Sequence, residues 1–497
     1  MHIIKAGRTE VALFAGMFAL LWGLALVFHQ DATHISYAAH FVAQDRSWLN
    51  GQLDVPAWLG HDLVRLGNKE YIVYPPAPAL LMLPFVALLG DHFSDIWFGW
   101  LAGAANVALL HAVVRQLGAR GWSARTPREQ VVLVLTFGVG TIALWLALGG
   151  TVWFVAQTLA ITFTLLMVLG ALHGNWWLAS AALGALFLTR SPDVLGGIVV
   201  LACFAHSSMR PTPATLNQAA NEETHDLEQT LPHARRRAPA VAWRTLIGSA
   251  VLASLRSLKW RAVTALAVPC GVALVIWAVR NKLYFGSFFE SGYGMQIAQD
   301  YPQIRFGLVS WHYLWPNFIA NFLNLPAFTF RTPYDLLPQI DLLRGGNGTS
   351  LFFTTPLFLL FFAPARSRLP GWLRTALWAT VGTLVVVTLA WNLTGWYQVG
   401  ARYLFDAYPY LFVLLAARGG RVSGRWLALA AFGVLVNLVL AQIFWCHSGA
   451  CFADSPHRLA IFVGLLALVP LVAGGAWWWL KRETTAAMQA SATVGQG

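Results

Sequence analysis

The chain has 497 residues, 57% of them apolar and only 11% charged, with a mean hydropathy of +0.58; a soluble core has no use for so much apolar surface, so a polytopic membrane protein is expected and soluble enzyme classes are excluded. The net charge of +12 does not point to nucleic acid, because Lys and Arg sit in short clusters between apolar runs, the pattern that encodes membrane orientation. Four Cys exclude a disulfide-built fold.

The first apolar run, Val11–Phe28, lacks a small-residue cleavage site and is followed by further runs, so it reads as a retained helix. Crossing a bilayer takes about 20 residues of helix. Barrel-type alternation is absent, and spans are expected near 11–28, 96–117, 130–148, 154–172, 176–190, 193–206, 263–281, 351–364, 373–391, 404–417, 426–445 and 459–480. The fold class is therefore an all-α bundle of about 12 transmembrane spans. PPAPALLMLPFVALLG (75–90) is too short and too rich in proline to cross, and reads as a juxtamembrane or re-entrant helix. Alternate loops then collect about two-thirds of the basic residues, including Lys5/Arg8, Arg115/Arg120/Arg125/Arg128, Arg366/Arg368/Arg374 and Arg418/Arg421/Arg425, and that face is cytoplasmic.

One domain, 1–482, is expected, with two long outer loops at 29–95 and 282–350. A polar cytoplasmic insert at 207–262 reads as part disordered and part interfacial helix, and 483–497 as a flexible tail. Cys203 and Cys270 fall in or beside apolar runs as packing residues, whereas Cys446 and Cys451 flank an outer HSGA loop where they can pair in an oxidising compartment.

Titratable groups gather at the outer ends of spans. In HQDATHISYAAH (29–40) and beyond, Ile35, Ala38, Ala39 and Val42 recur at helical spacing, so 31–45 is expected as a surface-lying amphipathic helix with Asp31 at its head. Asp31 then either caps that helix alone, or also serves as a general base on an acceptor hydroxyl with His34 one turn on. His29, His34 and His40 lack metal-ligand spacing, and neither metal nor cofactor is expected. In GWYQVGARYLFDAYPYL (395–411), Gln398, Arg402 and Asp406 share one face of an expected helix; either Arg402 pairs with Asp406, or its guanidinium clamps a lipid phosphate. LTRSPDVL (188–195) sets Arg190 and Asp193 at an outer turn, again as a pair or as a phosphate site. YFGSFFESGYGMQ (284–296) offers Glu290 in a lid or acceptor-binding segment, or in a plain surface loop.

These segments together resemble the GT-C membrane glycosyltransferases, in particular the family-39/ArnT-like enzymes and their many bacterial relatives. Asp31 matches the acidic residue that opens the family's first outer loop; NKEYIVYPPAPALLMLPF resembles its proline-led juxtamembrane helix; FLTRSP, FGSFFESGY, GNGTSLFFTTP and GWYQVGARYLFDAYP resemble recurrent later segments. The resemblance implies transfer of a sugar from a polyprenyl-phosphate donor to a lipid, glycan or protein acceptor of the cell envelope. The site would face the exterior of a bacterial plasma membrane. It makes Asp31 the base with His34 as helper, and Arg190, Arg402, Gln398 and Tyr74 the donor-phosphate set. Tyr37, Glu290, Tyr293, Asp193, Tyr403 and Asp406 would line the acceptor side or cavity. The chain departs from the pattern where Ala32 replaces a second acid, where Tyr74 stands for a Lys, and where GGTVW (149–153) lacks an Asp, which sets it apart from metal-dependent variants. The alternative from another class is a transporter or flippase of lipid-linked glycans, which would need polar groups at mid-membrane and related halves.

Overall fold

A computed structural model describes residues 7–208, 260–301, 304–329, 339–342, 347–395, 398–446 and 458–494. In chain order its helices are α1 (Arg8–Val27), α2 (His40–Leu49), α3 (Ala77–Leu89), α4 (Asp95–Ala119), α5 (Pro127–Val139), α6 (Ala143–Leu148), α7 (Val152–His173), α8 (Trp176–Phe187) and α9 (Gly197–Ser208). They continue with α10 (Trp260–Phe285), α11 (Tyr293–Asp300), α12 (Leu314–Phe318), α13 (Leu351–Thr354), α14 (Gly371–Ala390), α15 (Tyr408–Ala416), α16 (Gly424–Trp445), α17 (Arg458–Leu466) and α18 (Val469–Val494). Two antiparallel hairpins, β1 (Leu63–Leu66) with β2 (Lys69–Ile72) and β3 (Ala327–Thr329) with β4 (Gln339–Asp341), belong to the two long loops.

The chain is a multi-pass helical membrane bundle: among the described residues, eight helices are long and apolar enough to cross a membrane, and they match eight of the twelve expected spans. The other four are shorter or broken, each for a local reason. Expected span 130–148 divides into α5 and α6 at Gly140, whose carbonyl oxygen lies 2.6 Å from where a Cβ on Gly433 of α16 would stand, so this bend needs glycine on both sides. Span 351–364 breaks at Thr355–Pro356, where proline has no N–H to continue α13. Span 404–417 begins as a 3₁₀ turn, Arg402–Ala407, before α15, and span 176–190 ends at Phe187 ahead of a second 3₁₀ turn, Ser191–Gly196.

Helices α4 and α7 form the centre, with 72% and 78% of their apolar windows buried, against 11% for α10 and 6% for the Ala460–Arg482 span at the periphery. Lipid offers apolar side chains nothing less favourable than protein, so polar groups help join the central pair: Asn106 Nδ2 donates to the Thr158 carbonyl at 2.9 Å, and Thr162 Oγ1 to Asn106 Oδ1 at 2.7 Å. Cys203 and Cys270 are free thiols, the latter 3.1 Å from Ser180 Oγ. Cys446 is disulfide-bonded, and Cys451 lies outside the described residues, as do 209–259 of the polar insert. Where a flexible tail is expected from 483, α18 instead continues to Val494, a stretch rich in Ala and other good helix formers.

The first outer loop is corrected in one respect. The helix expected over 31–45 starts only at His40, and residues before it form turns. Asp31 therefore caps no helix. Asp and Thr side chains offer the backbone a local alternative to helix, and here Asp31 Oδ1 accepts from Thr33 N at 2.9 Å and Thr33 Oγ1 at 2.6 Å. The turns are stapled to α4 instead: Asp95 accepts Ser36 N at 2.8 Å and Ser36 Oγ at 2.7 Å, and Ser94 Oγ donates to the His34 carbonyl. Ala38, Ala39 and Val42 are still buried, under α3, α4 and α7, so the apolar spacing reads packing correctly but not helix. The stretch 75–90 holds a helix, α3, of 13 residues.

Candidate functional site

Arg190 leaves α8 where the chain is held by α3, through the Ala77 N–H on the Leu188 carbonyl at 2.9 Å. Its Nη2 and Nε reach Asp406 Oδ2 at 2.8 and 3.1 Å, and its Nε lies 3.4 Å from Asp193 Oδ2. Both carboxylates are buried, so one guanidinium serves two acids. Among the described residues, Asp193 Oδ1 and Oδ2 and Asp406 Oδ1 have no hydrogen-bond donor.

Arg402 is the counterpart. Its backbone N–H donates to Gln398 Oε1 at 3.1 Å, and its carbonyl accepts from Gln157 Nε2 of α7 at 2.9 Å. Only 5% of the residue is exposed, yet among the described residues no carboxylate pairs with its guanidinium, and its Nε has no acceptor. The charge lies over two rings, 5.0 Å from the centre of Tyr403 and 5.6 Å from that of Phe154. Gln398, Arg402 and Asp406 do not share a helix face as expected, because residues before Arg402 are not helical and 402–407 is a 3₁₀ turn of three residues per turn, which sends i and i+4 apart. Asp406 goes to Arg190 for that reason.

The loop that presents Arg402 is clamped by the GNGTS segment. Gln398 Nε2 donates to the Asn347 carbonyl at 3.0 Å, and Thr349 N to the Val399 carbonyl at 3.1 Å. Gly348, at φ +74°, lies so close that a Cβ would meet Gln398 Cγ and the Gly400 oxygen at 2.9 Å, so only glycine fits.

From the first outer loop comes Asp62, buried and held at φ +57°, a conformation an aspartate adopts only where its surroundings fix it. Its Oδ2 accepts from Tyr74 Oη at 2.8 Å and Trp153 Nε1 at 2.9 Å, and its Oδ1 from Gln296 Nε2 of α11 at 3.0 Å. Burial, with Asp62 beside it, pushes the Tyr74 phenol well above its ordinary pKa. Burial likewise pushes Tyr293 up to about 12, against the opposing charges of Arg190 and Arg280 and with Tyr403 and Asp62 adding to the rise. Ring contacts tie these groups to the two arginines: Trp153, which donates to Asp62, adjoins Phe154 beneath the Arg402 guanidinium, and the Arg190 and Arg402 guanidiniums lie 5.6 and 5.0 Å from the centre of the Tyr403 ring. Arg280 fastens the assembly, donating to the carbonyls of Ile72, Tyr74 and Ser291.

The structure thus brings together Arg190, Asp193, Arg402, Tyr403, Asp406, Gln398, Tyr74 and Tyr293. Tyr37 stands at the edge, exposed, with its ring 6.4 Å from Trp153. The Asp31 side chain is 63% exposed, with Oδ2 on His34 Nδ1 at 2.9 Å, so this pair is bonded locally and open to solvent. Hydrogen bonds from Thr33, then His34, hold the Asp31 carboxyl down at about 2. Glu290 Oε1 accepts the Gly292 N–H at 2.8 Å, a loop-shaping bond. His40 is buried with Nε2 2.9 Å from the His61 carbonyl, while His34 stays on Asp31. Sequence reasoning missed Asp62, Trp153, Gln296 and Phe154. Asp62 lies in GHDL, between a glycine and a strand, and that turn signal was there to be read.

No protein-family model matches the chain, and no curated protein matches it. Among solved structures it is similar to the crystal structure of ArnT from Cupriavidus metallidurans bound to undecaprenyl phosphate, at 16% identity and a TM-score of 0.44, over 95% of this chain and 76% of that one. It is similar to the apo state of the same protein at 15% identity, with the same TM-score and coverage.

Proposed function

We propose that this chain is an integral-membrane glycosyltransferase of the GT-C type, moving a sugar from a polyprenyl-phosphate donor to a cell-envelope acceptor at the outer face of a bacterial plasma membrane. The observation that carries the reading is Arg402, a buried guanidinium that no carboxylate pairs with among the described residues. An uncompensated buried charge is costly, and a lipid phosphate, which suits the planar donor fork of Arg, would relieve it. Arg190 already has two acids and is assigned a framework role.

In the reaction, the anomeric C–O bond to phosphate breaks as the acceptor oxygen bonds to the anomeric carbon, and the acceptor proton passes to a carboxylate. The second negative charge that develops on the leaving phosphate is what Arg402 stabilises. Resemblance assigns the proton to Asp31; the geometry favours Asp62, which stands in the same cluster and keeps lone pairs free after three donors. Tyr37, Trp153 and His61 offer ring faces on which a sugar can stack, with Trp153 and His61 rings 5.5 Å apart. The orientation rests on the Lys and Arg bias of alternate loops.

The test is to incubate purified protein with radiolabelled polyprenyl-phosphate sugars and membrane-extracted acceptors. Sugar transfer that is lost in Arg402→Met supports the reading. No donor consumed, with lipid-linked glycan crossing vesicles instead, replaces it with the transporter reading.

A further inference from the structure

The second outer loop contains a helical segment that is inside out. From Phe306 to Phe330 the sequence has no Asp, Glu, Lys or Arg, and it reads as α-helix-like from Trp311 to Leu323, with a 3₁₀ turn, α12 and a π turn in succession. Its buried residues are amides: Asn317 is 3% exposed and Asn321 1%. Its outward residues are large and apolar, with Trp311 74% and Trp315 67% exposed and Leu314, Ile319 and Leu323 beside them. A water-facing helix shows the reverse arrangement.

The polar side is spent on the end of a span. Helix α14 leaves its last carbonyls without partners of its own. Ser310 N donates to Ala390 O at 2.8 Å, and Asn317 Nδ2 to Leu389 O at 2.9 Å and Trp391 O at 2.7 Å, while Val309 pairs with Trp391 as an isolated β-bridge. This fixes the segment at the outer end of α14, where hydrocarbon gives way to headgroups, the depth at which Trp and Tyr concentrate. On α14 itself Val386 is also exposed. An apolar patch of this size beside a span needs a nonaqueous partner.

We infer that residues 306–326 lie in the outer headgroup–acyl boundary of the bilayer, with Trp311, Trp315, Ile319 and Leu323 immersed in lipid. The partner is the membrane itself, and the inference stands whether or not the chain transfers sugar. A cavity of about 400 Å³ flanks the segment, lined by Pro316, Ile319, Ala320, Asn324, Asp341 and Asn347. Asn347 is the residue whose carbonyl holds Gln398, so the immersed segment adjoins the clamp of the Arg402 loop.

Spin labels introduced by Trp315→Cys and Leu323→Cys, in a Cys203→Ala, Cys270→Ala background reconstituted in phosphatidylethanolamine–phosphatidylglycerol vesicles, test this. Accessibility to oxygen and to a water-soluble nickel chelate is compared with Val386→Cys in lipid and Lys69→Cys on the outer hairpin. The expected result is oxygen-dominated relaxation at both sites, matching Val386. Nickel-dominated relaxation, matching Lys69, overturns the inference, and shielding from both reagents overturns it in favour of a protein partner. The unmodified chain, photolabelled by diazirine phospholipid, should give crosslinked peptides within 306–326; labelling of the spans without that segment also overturns it.

Discussion

Two arginines at the ends of short helices make the most informative contrast in the molecule. Arg190 and Arg402 are both withdrawn from water, but Arg190 has Asp406 at 2.8 Å and Asp193 at 3.4 Å, whereas Arg402 has aromatic rings and no acid among the described residues. A buried cation with partners belongs to the framework; one without partners is poised for a ligand. Residue type and depth alone would have treated the two alike.

The contrast can be broken first at Arg190. Arg190→Met leaves two buried acids facing each other without a cation, and should destabilise the protein by about 3–5 kcal/mol, seen as a large fall in the thermal unfolding midpoint in detergent. Arg402→Met removes a buried charge that has no carboxylate on it among the described residues, so the midpoint should hold or rise while transfer falls by about 10²–10³-fold. If Arg402→Met unfolds the protein as Arg190→Met does, the distinction between them is lost.

The carboxylates sharpen it next. Asp62→Asn should slow transfer by about 10²-fold, with Asp31→Asn changing the rate less; the reverse order would return the proton-accepting role to Asp31. A smaller effect concerns Asp45 on α2, buried with neither oxygen bonded among the described residues, whose carboxyl burial pushes up to about 8. The folded state holds this proton more tightly than the unfolded chain, so its contribution to stability is fully present at acid pH and is lost as pH rises through about 8. The unfolding midpoint should therefore be lower at pH 8 than at pH 5, and Asp45→Asn should shrink that difference. An unchanged difference in Asp45→Asn would remove Asp45 as its source.

Much of the membrane architecture was legible, because long apolar runs and clustered basic residues report directly on the bilayer. The four spans that came out short or broken show the limit: Pro356 and Gly140 stand in the sequence, but whether a bend results depends on what packs there, as Gly433 does against Gly140. Arg190 and Arg402 were legible as charges near hydrocarbon. The local pairing of Arg190 with Asp193 was legible too; that Asp406 goes to Arg190 and not to Arg402 was not, since helical spacing from 402 to 406 fails in a 3₁₀ turn and the Arg190–Asp406 pair spans two distant segments. Asp62 was missed because its importance comes from Tyr74, Trp153 and Gln296, three residues that no local pattern connects to it. Asp31 stood out for the opposite reason, a conspicuous local cluster whose bonds are all to its own neighbours.

The central claim is that Arg402 is an anion site awaiting a lipid phosphate, and binding tests it without any knowledge of sugar or acceptor. Titrating purified protein with undecaprenyl phosphate by calorimetry should give saturable binding that weakens at least about tenfold in Arg402→Met, a loss of about 1.4 kcal/mol or more. Wild-type affinity in Arg402→Met, in protein that remains folded, would contradict the account.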